Sequence, residues 1–198
     1  EEGKEDIQEE TQNVTTSQVE GTRTTEENPE VQEEVPTEAE SQEIEETIAD
    51  QPLAAAQPEI NFTESSLMQW PVEGQIVLDY DMDHTIYFPT LNVYKYSPAI
   101  AVSSEVNTPV AAAANGKVLS ITNNEETGLT MTMDLGNGYQ AIYGQLKDLT
   151  FQTDDYVEAG TAIGYVSEPT KYYAKEGANL YFAMKKDGTS LDPLQYLP

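Results

Sequence analysis

The sequence has no cysteine, a single histidine, His84, and only nine lysines and arginines against 36 aspartates and glutamates. Without cysteine there is no disulfide framework and no thiolate metal site. A formal charge of -27 leaves no basic surface to displace counterions from a nucleic-acid backbone. The same charge disfavours docking on anionic lipid. No run of 18 apolar residues occurs, so no segment reads as a membrane-spanning helix. Aromatic side chains are missing from one region altogether, because residues 1–60 hold no Phe, Trp or Tyr.

That region carries 19 acidic residues against Lys4 and Arg23, a net of -17, which leaves -10 for residues 61–198. With so few large apolar groups it cannot offset roughly 1 to 2 kcal/mol of backbone entropy per ordered residue, and it is predicted to be a disordered acidic stalk or linker. Thr, Gln, Pro and Glu recur in it without helical or strand period, as in Val35-Pro36-Thr37-Glu38. An acidic helix from Glu38 to Ala49 is the alternative. A polar stalk at the start of a mature chain also fits an extracytoplasmic protein, secreted or anchored, whose signal or anchor segment has been removed.

From Leu67 onward, short apolar runs alternate with Gly, Asn, Asp and Pro about every ten residues, the pattern of an all-β sandwich or open barrel. Strands are expected at residues 75–79, 99–103, 109–113, 116–123, 129–134, 140–146, 162–166 and 179–185. Leu129, Met131 and Met133 alternate with Thr130, Thr132 and Asp134, so one face of that strand is apolar. Asn115-Gly116, Asn137-Gly138 and Asp187-Gly188 read as hairpin turns, since Asn, Asp and Gly tolerate positive φ. A short helical turn is expected at 193–197.

Several motifs follow in a fixed order: Trp70-Pro71-Val72-Glu73-Gly74, Thr108-Pro109-Val110, Asp134-Leu135-Gly136-Asn137-Gly138-Tyr139, Tyr143-Gly144-Gln145-Leu146, Val157-Glu158-Ala159-Gly160-Thr161, Asn179-Leu180-Tyr181 and Asp192-Pro193-Leu194. Along residues 67–198 this order resembles the lysostaphin/LytM-type zinc endopeptidases of the bacterial cell wall, especially membrane-anchored versions from spore-forming Gram-positive bacteria. The resemblance implies an antiparallel β fold with an open groove, built on a duplicated hybrid motif.

It also implies where the chemistry would sit. The family's H-x-G-x-D segment, with a zinc-binding His and Asp, corresponds to Ser97-Pro98-Ala99-Ile100-Ala101. Gln145 stands at the catalytic His of Y-x-H-L. In H-x-H, Asn179 replaces the catalytic His and Tyr181 the zinc ligand. Hydroxyl, methyl and phenol groups are poor zinc donors, and neither amide can exchange a proton near neutral pH. No zinc cofactor is therefore expected, and the domain reads as a pseudopeptidase that binds peptidoglycan or another envelope protein, as scaffold, regulator or wall-binding module. A zinc endopeptidase cutting peptidoglycan cross-bridges with substituted ligands is the alternative. A retained groove would be lined by Tyr96, Ser97, Gln145, Asn179 and Tyr181.

Other constellations compete with these. Asp79, Asp81, Asp83 and His84 place three carboxylates and an imidazole in six residues, yet a calcium loop wants Gly and Glu where His84 and Thr90 stand. A solvated loop after the first strand is the plain reading. Ser103 and Ser104 have no His partner in the motif order, and Lys117 follows the turn glycine instead of sitting at the tip, as a biotinyl or lipoyl carrier would need. The tyrosines, with Tyr94 and Tyr96 on one face, suit either half-buried strand positions or a binding surface. Because the acidic stretch supplies so little core, a chain starting near Phe62 is expected to melt with the full chain. A fall beyond about 4 to 8 °C would reveal roughly 1 kcal/mol of missed packing.

Overall fold

A computed structural model describes residues 57–198. The acidic stretch to residue 56, with the alternative helix at 38–49, lies outside the described residues. The strands are β1 (Gln75–Leu78), β2 (Asp81–Phe88), β3 (Val93–Ser97), β4 (Ile100–Ser103), β5 (Pro109–Ala111), β6 (Gly116–Asn124), β7 (Gly128–Gly136), β8 (Tyr139–Lys147), β9 (Tyr156–Val157), β10 (Ala162–Val166), β11 (Asn179–Lys186) and β12 (Thr189–Leu191), followed by a 3-10 turn at Pro193–Gln195. No α-helix occurs among the described residues. Asp192 caps the 3-10 turn, its carboxylate accepting from the Leu194 N–H at 2.9 Å.

Ten strands form one antiparallel sheet in the order β1-β4-β11-β8-β7-β6-β9, with β12 on β11 and β10 bridging β5 and β8. β2 and β3 make a separate two-stranded sheet. The all-β architecture expected from the sequence is the one observed, and each of the eight expected strands is present. The period-two pattern of β7 buries Met131, Met133 and Leu135 completely, beside Val118, Ala141, Phe182 and Met184. Full burial of a side chain of this size contributes about 1.5 to 3 kcal/mol, so this layer dominates the cohesion of the sheet.

Asn137 and Gly138 have φ of 53° and 80°, as a two-residue turn between β7 and β8 requires. Asn115-Gly116 behaves differently from expectation. Neither residue has positive φ, and the strands on either side do not pair, since β5 joins β10 while β6 joins β7 and β9. Gly116 serves close approach instead: a Cβ there would lie 2.8 Å from the Asp134 carbonyl oxygen. Asn115 ties loops together, accepting from the Ala159 N–H at 2.9 Å.

Residues 79–84, read from sequence as a solvated loop, instead run into β2, which forms a hairpin with β3. Its polar start hid the strand, because the Asp81 carboxylate accepts from the N–H groups of Asp83 and His84 and breaks the alternation there. β9 and β12 are too short to carry a period. The hairpin rests on a second small core of Leu78, Phe88, Ala101 and Tyr173. The body also takes in Glu59 and Ile60, just upstream of the expected boundary, through the Asn115 side chain and the face of Gly136.

Tyr143 shows how tightly the two parts of the main core are joined. Its ring is fully buried against Phe182, and its hydroxyl oxygen accepts from the Ala113 N–H at 2.9 Å. Tyr143→Phe keeps the packing but orphans a buried donor, so a loss of about 1 to 3 kcal/mol is expected in urea unfolding.

Candidate functional site

Three adjacent strands, β4, β11 and β8, carry most of the positions singled out in the sequence. Tyr181 on β11 sits opposite Ala101 on one side and Gly144 on the other, and Asn179 sits opposite Ser103. Gly144 has no room for a side chain, since its Cβ would lie 3.0 Å from Thr127 Cβ and 3.2 Å from Tyr181 Cβ. The next residue, Gln145, has φ of 58°, an arrangement that costs a non-glycine residue roughly 1 to 2 kcal/mol. Two backbone bonds hold it there, Gln145 N–H to Thr127 O at 2.6 Å and Ser167 N–H to Gln145 O at 2.9 Å. The β7–β8 register slips between Leu129 and Met131, so Gln145 lies on a bulge that re-aims its side chain.

That side chain points into the protein. Gln145 and Asn179 are both fully buried, and the Gln145 amide donates to the Asn179 side-chain oxygen. Asn179 Nδ2 donates to the Gly177 carbonyl at 2.7 Å, and Gln145 Oε1 accepts from the Thr170 N–H at 3.2 Å. Each side-chain nitrogen and oxygen of the two amides thus has a partner within the protein.

Beside this pair opens a cleft of about 210 Å³, lined by Ser97, Ala101 and Tyr181 together with Leu78, Phe88, Lys95, Glu126, Thr127 and Tyr173, among others. The groove expected from sequence needs correcting in two ways. Gln145 and Asn179 lie beneath it, consumed by each other, and do not line it. Tyr96 is 53% exposed and turned away, because strand alternation sends its neighbours Lys95 and Ser97 into the cleft instead. Lys95, Glu126 and Tyr173 belong to the cleft without having been singled out for it. Lys95 and Glu126 close its mouth at 2.7 Å, and Tyr173 is 3% exposed. The Tyr94/Tyr96 alternation already contained the hint for Lys95, whereas Glu126 and Tyr173 arrive through loops distant in sequence.

Ser97 Oγ donates to the Ala99 carbonyl at 2.8 Å. The hydroxyls of Tyr173 and Tyr181 have no hydrogen-bond partner among the described residues, and no buried side-chain polar atom there is left unsatisfied, so both hydroxyls reach open space at the cleft. Burial, reinforced by the Glu126 charge, pushes the Tyr181 phenol up to about 12. Burial likewise raises Tyr173, with Tyr181 and Glu126 adding to the shift. Near neutral pH both are therefore proton-bearing hydrogen-bond donors.

The other sequence candidates stay apart. Asp81 is committed to the hairpin turn, its acidity strengthened first by the His84 N–H, and no group of three or more His, Cys, Asp or Glu suited to a metal occurs among the described residues. Ser103 lies on β4 and Ser104 just beyond it, while Lys117 lies on β6, bound to Asp154 at 2.6 Å.

The sequence profile of Peptidase family M23 matches residues 95–193, half of the chain and the whole of this cleft from Lys95 onward. The chain belongs to Peptidase family M23. Stage IV sporulation protein FA of Bacillus subtilis is 28% identical over 88 residues, covering 44% of this chain and 32% of that protein. Stage II sporulation protein Q of the same organism is 23% identical over 108 residues, covering 54% and 38%. The chain thus matches about a third of the length of these relatives. In fold it is similar to a chain of the SpoIIQ-SpoIIIAH pore-forming complex, with a TM-score of 0.57 and 21% identity over 67% of this chain and 91% of that one.

M23 peptidases use zinc, and the donor set here does not fit it. At the positions where the resemblance leads one to expect the ligands, Ser97 offers a hydroxyl that donates to Ala99, Ala101 a methyl, and Tyr181 a phenol held in its protonated form. What this M23 domain retains is a small cleft with an apolar wall, two phenol donors and an ion pair at the mouth. The Tyr181 shift has a consequence for stability. The neutral phenol is favoured in the folded state, so its contribution is intact below the unfolded value near 10 and is lost as pH rises toward about 12. Urea midpoints measured across that window should fall with pH, and Tyr181→Phe should flatten the fall.

Proposed function

We propose that this domain is a non-catalytic M23 module of the bacterial cell envelope, placed outside the cytoplasm, which binds where its relatives would cut. The buried Gln145–Asn179 pair carries this reading. At both positions where the family would place an imidazole, a neutral amide is locked into the fold, and no side chain there can take a proton from water near neutral pH. The cleft remains open beside it. Its phenols suit a carbonyl oxygen, and its apolar wall of Leu78, Phe88 and Ile100 suits a small side chain, so a short peptide segment is its natural occupant. Such a segment belongs either to another envelope protein or to a peptidoglycan stem. The solved SpoIIQ-SpoIIIAH complex supports the first, since there a chain of similar fold is assembled with a second protein.

The test combines metal analysis with one substitution. The purified chain should retain no stoichiometric zinc after dialysis and should leave peptidoglycan uncut. Tyr181→Ala should weaken binding of the peptide or partner by on the order of 1 to 2 kcal/mol while the fold survives. If affinity of the folded fraction is unchanged and stability alone drops, by about 2 to 5 kcal/mol, Tyr181 merely fills space and the cleft reading fails. One equivalent of tightly held zinc, or chelator-sensitive lysis of wall material, would refute the non-catalytic reading.

A further inference from the structure

We infer that the outward face of the β2–β3 hairpin, built around Tyr87, Tyr94 and Tyr96, is a docking surface for a second protein whose contacting face is rich in lysine and arginine. Half of the large apolar side chains that stand exposed among the described residues lie on this one hairpin. Tyr87 and Tyr94 are directly opposed across the strands with ring centroids 5.3 Å apart, and Tyr96, two residues on, shares their side. Tyr94 is 71% exposed. Aromatic rings with polar tips are enriched at protein interfaces, and three on one face of a two-stranded sheet exceed what scattered surface residues require.

The rings are held in place from beneath. Phe88 sits in the small core with Leu78, Ala101 and Tyr173, Lys95 reaches Glu126 across the cleft, and the Thr90 N–H donates to Glu176 at 3.2 Å. Tyr87 is further fixed by donating its hydroxyl proton to Asn92 Oδ1 at 2.8 Å. A surface ordered before binding loses little conformational entropy on contact.

Charge selects the occupant. Residues 79–97 carry three aspartates against Lys95, whose charge is taken by Glu126, and His84, which lies 3.6 Å from Asp81, so the hairpin segment as a whole is acidic. The Asp81 carboxylate is held ionised by two backbone N–H groups. Basic side chains on a partner would be drawn to the acidic segment and would meet the exposed ring faces, where a cation gains from the aromatic quadrupole. An anionic wall polymer would be repelled by the same acidic segment. The proposal rests on the reading of the domain as a binding module, but it uses the face of the hairpin opposite to the cleft.

The experiment uses the full chain, isotope-labelled, and three probes: a decapeptide alternating arginine and valine, its glutamate–valine counterpart, and soluble peptidoglycan fragments. Because the acidic segment attracts any cation, affinity is read only from the amide shifts of residues 81–94 and Tyr96. The arginine peptide should shift these amides, less so as salt is raised, and bind at least about tenfold more weakly to the Tyr94→Ser/Tyr96→Ser variant, whose changes are on exposed positions. Asp81→Asn/Asp83→Asn should weaken it too, with the turn acceptor preserved. Equal binding by the serine variant, equal shifts with the glutamate peptide, or hairpin shifts produced by the wall fragments would each overturn the proposal. Shifts confined to Ser97, Ala101 and Tyr181 would support the cleft and refute the hairpin, while hairpin shifts alongside a silent Tyr181→Ala would do the reverse.

Discussion

The register of β11 between β4 and β8 is the constraint on which the rest of the site depends. Because Tyr181 lies opposite both Ala101 and Gly144, three side-chain positions far apart in sequence meet in one row across the sheet. A slip of one residue would turn Asn179 and Tyr181 to the other face and would bring buried amides into the apolar core. Gly144 keeps the row closed by letting Thr127 approach, and the strained φ of Gln145 directs the amide to Asn179. Strain at one bulged residue is therefore tied to a fully satisfied pair of buried amides.

Those amides make the difference between chemistry and cohesion. Imidazoles at these two positions would have to remain accessible to a substrate and to exchange protons. Gln145 and Asn179 are fully buried, and each is partnered, so removal of either leaves the other unpaired at a cost of about 1 to 3 kcal/mol. Both side chains thereby serve the cohesion of the fold. Tyr181 packs toward the small core that seats the hairpin and lines the cleft.

The hairpin links the two surfaces. Strand alternation sends Lys95 and Ser97 inward to the cleft and Tyr94 and Tyr96 outward, so one short segment furnishes a wall for one site and the face of another. Its three aspartates are in keeping with a chain that carries 36 acidic residues against nine basic ones. Electrostatics of this kind governs partner choice and association rate more than it governs the fold.

The sequence alone determined the all-β class, the eight principal strands and the family, because period-two burial and turn residues are local signals and the motif order is linear. Through the resemblance it also led to the expectation that Ser97, Ala101, Gln145, Asn179 and Tyr181 stand at the family's functional positions, where their side chains are poorly suited to proton transfer or zinc ligation. Tertiary structure decided everything that depends on direction and distance. Only the bulge at Gln145 shows that the two amides face each other and not the cleft, and only the pairing of β2 with β3 brings Tyr87 beside Tyr94 on one face. Glu126 and Tyr173 reach the cleft through loops, where no period relates a residue's place in the chain to its place in space, and that is why no pattern in the sequence could announce them.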